Sequence, residues 1–270
     1  MNVVDRRFFL SELALASGAS LALGGTGAAG QVAPPADRAW PDWVPLQDPA
    51  VVKEVVTVAH TDVKRVAELV ERQPALANAT IDWGFGDWES ALGAASHVGR
   101  RQIAEVLLAH GARPSIFSAA MLGQVDVVKA FVSASPGIQR TLGPHGITLM
   151  AHARAGGAGA VEVVKYLESV GDADRGPTSE GLDAADRDGL VGEYVFGAAD
   201  RDHFVIDVRN DQLGIGRPGQ TRRFLIHTGG LVFFPSGVPS VRIAFARVGA
   251  RATQLTIADP EVFLTATRRG

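Results

Sequence analysis

The sequence predicts a multidomain chain, α then β: an array of paired helices followed by a small antiparallel β-meander or barrel. Three observations predict it. The segments "VAELV" at 66, "IAEVL" at 103, "VVKAF" at 127 and "VVKYL" at 163 repeat one apolar pattern, i, i+1 and i+4, at spacings of 37, 24 and 36 residues. Such a stripe is wide enough to pack on two neighbouring helices. Beyond residue 189 the period falls to two: "SVRIAFAR" sets Val241, Ile243 and Phe245 against Arg242, Ala244 and Ala246. Between the two regimes, "GDADRGPTSEGLDAADRDG" at 171–189 is polar, acidic and glycine-rich, the composition of a linker.

The first element is the N-terminal run "DRRFFLSELALASGASLALGGTGAAG". With Arg6, Arg7, Phe9 and Leu10 followed by weakly apolar small residues, it resembles a bacterial twin-arginine export signal. The resemblance implies residues 1–29 as a signal cleaved near Ala28 or Ala29, and a periplasmic or secreted protein. That route carries folded proteins, which leaves room for cofactor loading before export, although no cofactor is expected. Glu12 inside the run disfavours a permanent membrane span. Two glycine patterns of dinucleotide-binding spacing, Gly25/Gly27/Gly30 and Gly214/Gly216/Gly219, are chance matches. No strand precedes the first, and Pro218 interrupts the second.

Residues 30–47 form a Pro-rich extended linker carrying Trp40 and Trp43, after which Asp48 and Pro49 supply an N-cap and a first helical residue. The helical array spans 48–173. Its best copy, "SALGAASHVGRRQIAEVLLAHGARP", sets Leu92, Ala94, Ala95, Gly99, Ile103, Leu107, Leu108 and Gly111-Ala112 in order. It resembles the ankyrin repeat; "GITLMAHARAGG" is a looser copy. The resemblance implies an ankyrin-type helical repeat stack of four units. In "HGARPSIFSAAMLG" one unit runs straight into the next, so the short spacing of 24 reads as a missing β-finger between units two and three.

After a linker at 174–188, residues 189–270 predict about eight short strands, with turns at "RNDQ", "RPGQ", "HTGG", "PSGVPS" and "RVGAR". Gly192-x-Tyr194, Leu213, the "PGQ" turn, Phe233-Phe234 and Phe245-Ala-Arg247 resemble the lipocalin-like β domain appended to penicillin-binding-protein-like serine hydrolases. The hydrolase activity of that family resides in another domain. This chain has neither S-x-x-K nor G-x-S-x-G, so the activity is not implied.

Function is less constrained. A net charge of −3 and pI near 6.2 argue against nucleic acid, and the absence of cysteine excludes disulfides, thiolate metal sites and a cysteine nucleophile. There is no H-E-x-x-H, and the reading assigns no catalytic residue, no metal and no cofactor. The finger "NATIDWGFGDWES" concentrates Trp83, Phe85 and Trp88 among Asp82 and Asp87, and tryptophan buries much area with little rotamer loss. With His145 of the "GPHGIT" loop across the gap, these residues predict a docking site on the concave face. The expected function is a binding or scaffold protein of the cell envelope that takes a protein or peptide, with a small molecule as the other candidate ligand. The alternative is an envelope enzyme or metal-dependent protein using His145 and His152, seven residues apart.

Overall fold

Six of the nine α-helices among the described residues open on a capping side chain. The computed structural model describes residues 46–199, 201–259 and 262–270. The expected export signal with Arg6 and Arg7, and the expected linker with Trp40 and Trp43, lie outside these. Asp48 accepts from the Ala50 amide to open α1 (Pro49–Val58), and Asp62 accepts from Arg65 to open α2 (Val63–Arg72). Ser90 caps α3 (Ala91–His97), which turns into α4 (Arg101–Ala109). A capping box of Ser115 and Ser118 opens α5 (Ile116–Met121), followed by α6 (Val125–Ala134). Thr148 caps α7 (Leu149–Ala155), and α8 (Val161–Val170) follows. The small residues of α3 and α5 let these helices approach closely. At Gly99 and Gly123 the backbone is left-handed, and a β-carbon would fall 2.2 Å and 1.9 Å from the carbonyls of Ala155 and Gly159.

Among the described residues the helical part has one β-hairpin, β1 (Thr80–Asp82) with β2 (Trp88–Ser90), in the register Ile81↔Glu89. The Asp82 carboxylate accepts from the amides of Gly84 and Gly86 and closes the turn, in which Phe85 itself adopts a positive φ of 63°. The hairpin has two apolar anchors. Ile81 and Trp83 pack on the helical core around Val56, Leu76 and Leu92, whereas Phe85 joins the core of the second part.

That second part begins with α9 (Ala184–Leu190), capped by Asp183. Eight strands follow: β3 (Gly192–Val195), β4 (His203–Arg209), β5 (Gln212–Gly216), β6 (Arg223–His227), β7 (Val232–Pro235), β8 (Arg242–Val248), β9 (Arg251–Asp259) and β10 (Val262–Arg268). Each pairs antiparallel with its sequence neighbour, and β10 returns to β3 to close the barrel. The interior is filled by Tyr194, Ile206, Ile215, Phe233, Ile243 and Leu255. The Tyr194 hydroxyl donates to the Leu190 carbonyl at 2.7 Å, tying α9 to the barrel.

The expected fold class is corrected here. No ankyrin-type stack is evident among the described residues: these fold as nine short α-helices with a closed eight-stranded barrel, in one compact unit. Apolar stripes fix only which face each helix buries; they do not enforce a repeating connection. The junction at 79–91 is a hairpin, that at 110–115 is a short loop, and that at 135–148 is built on single 3-10 turns around Gly137 and His145. Three different connections do not make a regular stack.

A candidate metal centre

Glu89 sits on β2, facing the helices, with its side chain fully buried. Burying a carboxylate without partners costs several kcal/mol, so what surrounds it is informative. Trp83 Nε1 donates to its Oε2 at 2.6 Å. Three imidazoles close round the rest. His60, just beyond the end of α1, places Nε2 3.5 Å from Oε2. His97, the last residue of α3, places Nε2 2.9 Å from Oε1. His145, from the turn before α7, places Nε2 3.3 Å from Oε1. His60 Nε2 and His97 Nε2 are themselves 3.2 Å apart. One ligand atom from each of the four residues lies within 4.8 Å of all the others.

These spacings can be compared with a metal's requirements. Zinc–nitrogen and zinc–oxygen bonds of about 2.0–2.1 Å give tetrahedral edges of about 3.3 Å. The His97 and His145 distances to Oε1, 2.9 and 3.3 Å, and the 3.2 Å between His60 and His97 lie near that value, while the full set is bounded by 4.8 Å. The lone pairs are directed accordingly. His60 Nδ1 donates to backbone carbonyls of Val56 and Thr57, leaving Nε2 as the lone-pair nitrogen of the neutral ring. His145 Nδ1 donates to Asp87 Oδ2 at 2.6 Å, and its own backbone N–H donates to Asp87 Oδ1 at 2.9 Å. Arg223 Nη1 lies 3.2 Å from the same imidazole nitrogen but is itself a donor, so the accepting role falls to Asp87. Glu89 Oε1, at the middle of the group, is buried and faced by His97 Nε2 and His145 Nε2 at 2.9 and 3.3 Å. Imidazole nitrogens and a buried carboxylate converging this closely call for a cation among them, a metal ion or a proton.

A proton can take that place. Burial disfavours the charged form of His145, but Asp87 and Glu89 outweigh it and raise its pKa to about 9. Burial likewise pushes Glu89 up, and the imidazoles of His145 and His97 more than reverse this, holding it at about 2. Asp87, also raised by burial, is brought below the usual carboxylate range by His145 and Arg223. His145 adopts a positive φ of 62°, uncommon for a residue with a β-carbon, in a turn that the surrounding contacts must hold.

The predicted site residues therefore separate. Asp87, Trp83 and His145 come together, with Asp87 behind His145 and Trp83 behind Glu89. Phe85 is half-buried against the barrel, Asp82 is exposed and spent on its turn, and Trp88 stands out at 63 % exposure. Trp83 also lines a groove of about 410 Å³ with Lys53, Ile81, Gly219 and Thr221. His152 is not part of the cluster. It is fully buried, its Nδ1 donates to the Thr148 carbonyl, and its Nε2 faces Gly143 without a partner. The sequence reading missed His60, His97 and Glu89. A signal was present: "VAH" ends at 60 and "ASH" at 97, a separation of 37 that equals the spacing of the first two helical segments and brings equivalent helix ends side by side.

No family model, curated protein or solved structure matches the chain. The site's own geometry must carry the functional argument.

Proposed function

We propose that the protein is an exported metalloprotein in which His60, His97, His145 and Glu89 hold one first-row divalent ion, zinc foremost. The single observation that carries the reading is the convergence of three imidazoles on one buried carboxylate, with a ligand atom from each of the four residues within 4.8 Å of the others. Imidazole and carboxylate donors suit zinc and its neighbours, and the chain has no thiolate to favour softer ions. His60 and His145 are each 24 % exposed, which leaves a solvent side from which a water or substrate oxygen can reach the ion as an additional ligand. An ion there would polarise that oxygen and lower the pKa of a bound water. The twin-arginine-type signal fits this reading, because that route carries proteins already folded around their cofactor. The proposed location is the periplasm or the outside of the cell. Among the described residues, no helix is long and apolar enough to cross a membrane.

Metal analysis of the full chain tests the proposal. One equivalent of zinc or another divalent metal is expected after purification or reconstitution, with a cobalt(II) derivative giving the visible bands of a low-coordinate site. His145→Ala and Glu89→Gln should each abolish stoichiometric binding. A wild-type protein that stays metal-free in excess zinc would end the proposal.

A second reading has an observation of its own. Trp88 is a large apolar side chain on the hairpin with most of its surface in water. It suits a protein or peptide partner of the envelope, and such docking is compatible with a metal centre behind it.

A further inference from the structure

We propose that the barrel is the outer shell of the metal centre: Arg223 positions His145 through Asp87, so the affinity of the centre depends on how barrel and helices are docked. The inference rests on the metal reading above and adds to it an element on the other side of the molecule.

The argument begins with strand alternation. Arg223 opens β6 and shares its parity with Leu225, both buried. An apolar residue would satisfy that position at less desolvation cost than a guanidinium. Instead the Arg223 side chain, 6 % exposed, leaves the barrel and pairs with Asp87, whose own side chain is 3 % exposed. It also donates to the Ser236 carbonyl, which belongs to the barrel loop between β7 and β8. Asp87 is thus held from the barrel side by Arg223, while its two oxygens accept both N–H groups that His145 presents.

The same loop presses on the site through its backbone. Gly237 has a φ of +88°, and a β-carbon there would lie 2.9 Å from Asp87 Oδ1, 3.0 Å from the His145 Cα and 3.1 Å from Arg223 Nη2. A β-carbon on Gly146, next to His145, would lie 3.2 Å from the Gly237 amide nitrogen. Two independent features of the barrel, a buried arginine and a side-chain-free turn, therefore converge on the residue that orients His145. Arg223 touches no ligand atom of the centre; it is a positioning residue. A carboxylate behind a ligating histidine fixes its tautomer and ring orientation, and loss of such a partner weakens metal binding about 10- to 100-fold.

The experiment uses the full-length mature protein, zinc measured by chelator competition and cobalt(II) as the spectroscopic probe. Arg223→Gln should weaken zinc binding about 10- to 100-fold. Arg223→Lys should recover part of the loss, and the cobalt bands should shift as His145 is misplaced. Leu255→Ala, a cavity in the barrel core far in kind from the strut, should lower the melting temperature yet leave zinc affinity within about twofold of wild type. Should Arg223→Gln not fold, Asp87→Asn probes the same link with a nearly isosteric side chain. A wild type that binds zinc beside Arg223→Gln or Asp87→Asn proteins that bind it equally well overturns this inference alone. So does an equal loss of affinity in Leu255→Ala, which would reduce the strut to general stability. A wild type that binds no zinc overturns the metal reading and this one with it.

Discussion

The barrel interior and the corner beside the hairpin bury comparable groups of side chains by opposite means. Inside the barrel, Tyr194, Ile206, Ile215, Phe233, Ile243 and Leu255 lose water and need no specific partner, apart from the one tyrosine hydroxyl. In the corner, Asp87, Glu89, Arg223 and His152 are buried although each is polar or charged. Such burial is tolerated only where partners converge, and it contributes little net stability. The difference teaches where to look for function: the barrel is explained by folding alone, whereas the corner is not.

The comparison can be broken most forcefully at Asp87. Asp87→Ala strands the Arg223 guanidinium and should cost about 3–5 kcal/mol of stability, measured by chemical denaturation. The double variant Asp87→Leu, Arg223→Met should regain most of that loss while zinc binding stays impaired. If the single and double variants are equally unstable, the corner is a stability device after all.

A pH experiment sharpens the contrast next. Burial lowers the pKa of His152 to about 4 from an ordinary 6.5, against the hydrogen bond it donates to Thr148. The unfolded chain therefore holds more protons than the folded one between these two values. The part of the stability that depends on His152 should be intact above about pH 6.5 and fall as pH drops toward 4, by about 3 kcal/mol. His152→Leu should flatten that part of the profile; an unchanged slope in the variant would show that the loss arises elsewhere.

In the barrel, Tyr194→Phe removes one hydroxyl and leaves the Leu190 carbonyl without its donor. It should cost about 0.5–1.5 kcal/mol with zinc affinity unchanged. The smallest effect on folding is expected at Trp88. Because it is 63 % exposed, Trp88→Ala should move stability by no more than about 0.5 kcal/mol. A marked loss of capture of an envelope protein with that stability retained would support the docking role; a shift of several degrees in melting temperature would count against it.

The parts of the molecule differ in how legible they were. Alternation at Ile243 and Phe245, and the cap at Asp48, follow from local chemistry, which a sequence carries openly. The helical segments could be read, but their connections were overread as a regular stack. An amphipathic stripe says which side is buried and not what joins the helices. The centre was partly hidden for a different reason. His60, Glu89, His97 and His145 come from four separate elements, and no short motif joins them. Only the matching helix ends at His60 and His97 left a periodic trace, while Glu89 was read past as part of an aromatic finger. Arg223 left none, because a single arginine opening a strand is ordinary until its partner is known.

Barrel closure has a consequence for how the chain behaves in crowded surroundings. A sheet with free edges offers rows of unpaired amides and carbonyls to other chains, and closure of β10 onto β3 removes both edges at once. The hairpin strands, outside the barrel, are each three residues long, with exposed Asp82 beside the turn. Short, charged edges recruit further strands poorly. The fold therefore presents its neighbours with almost no template for strand addition, and self-association by that route should be rare even at high concentration.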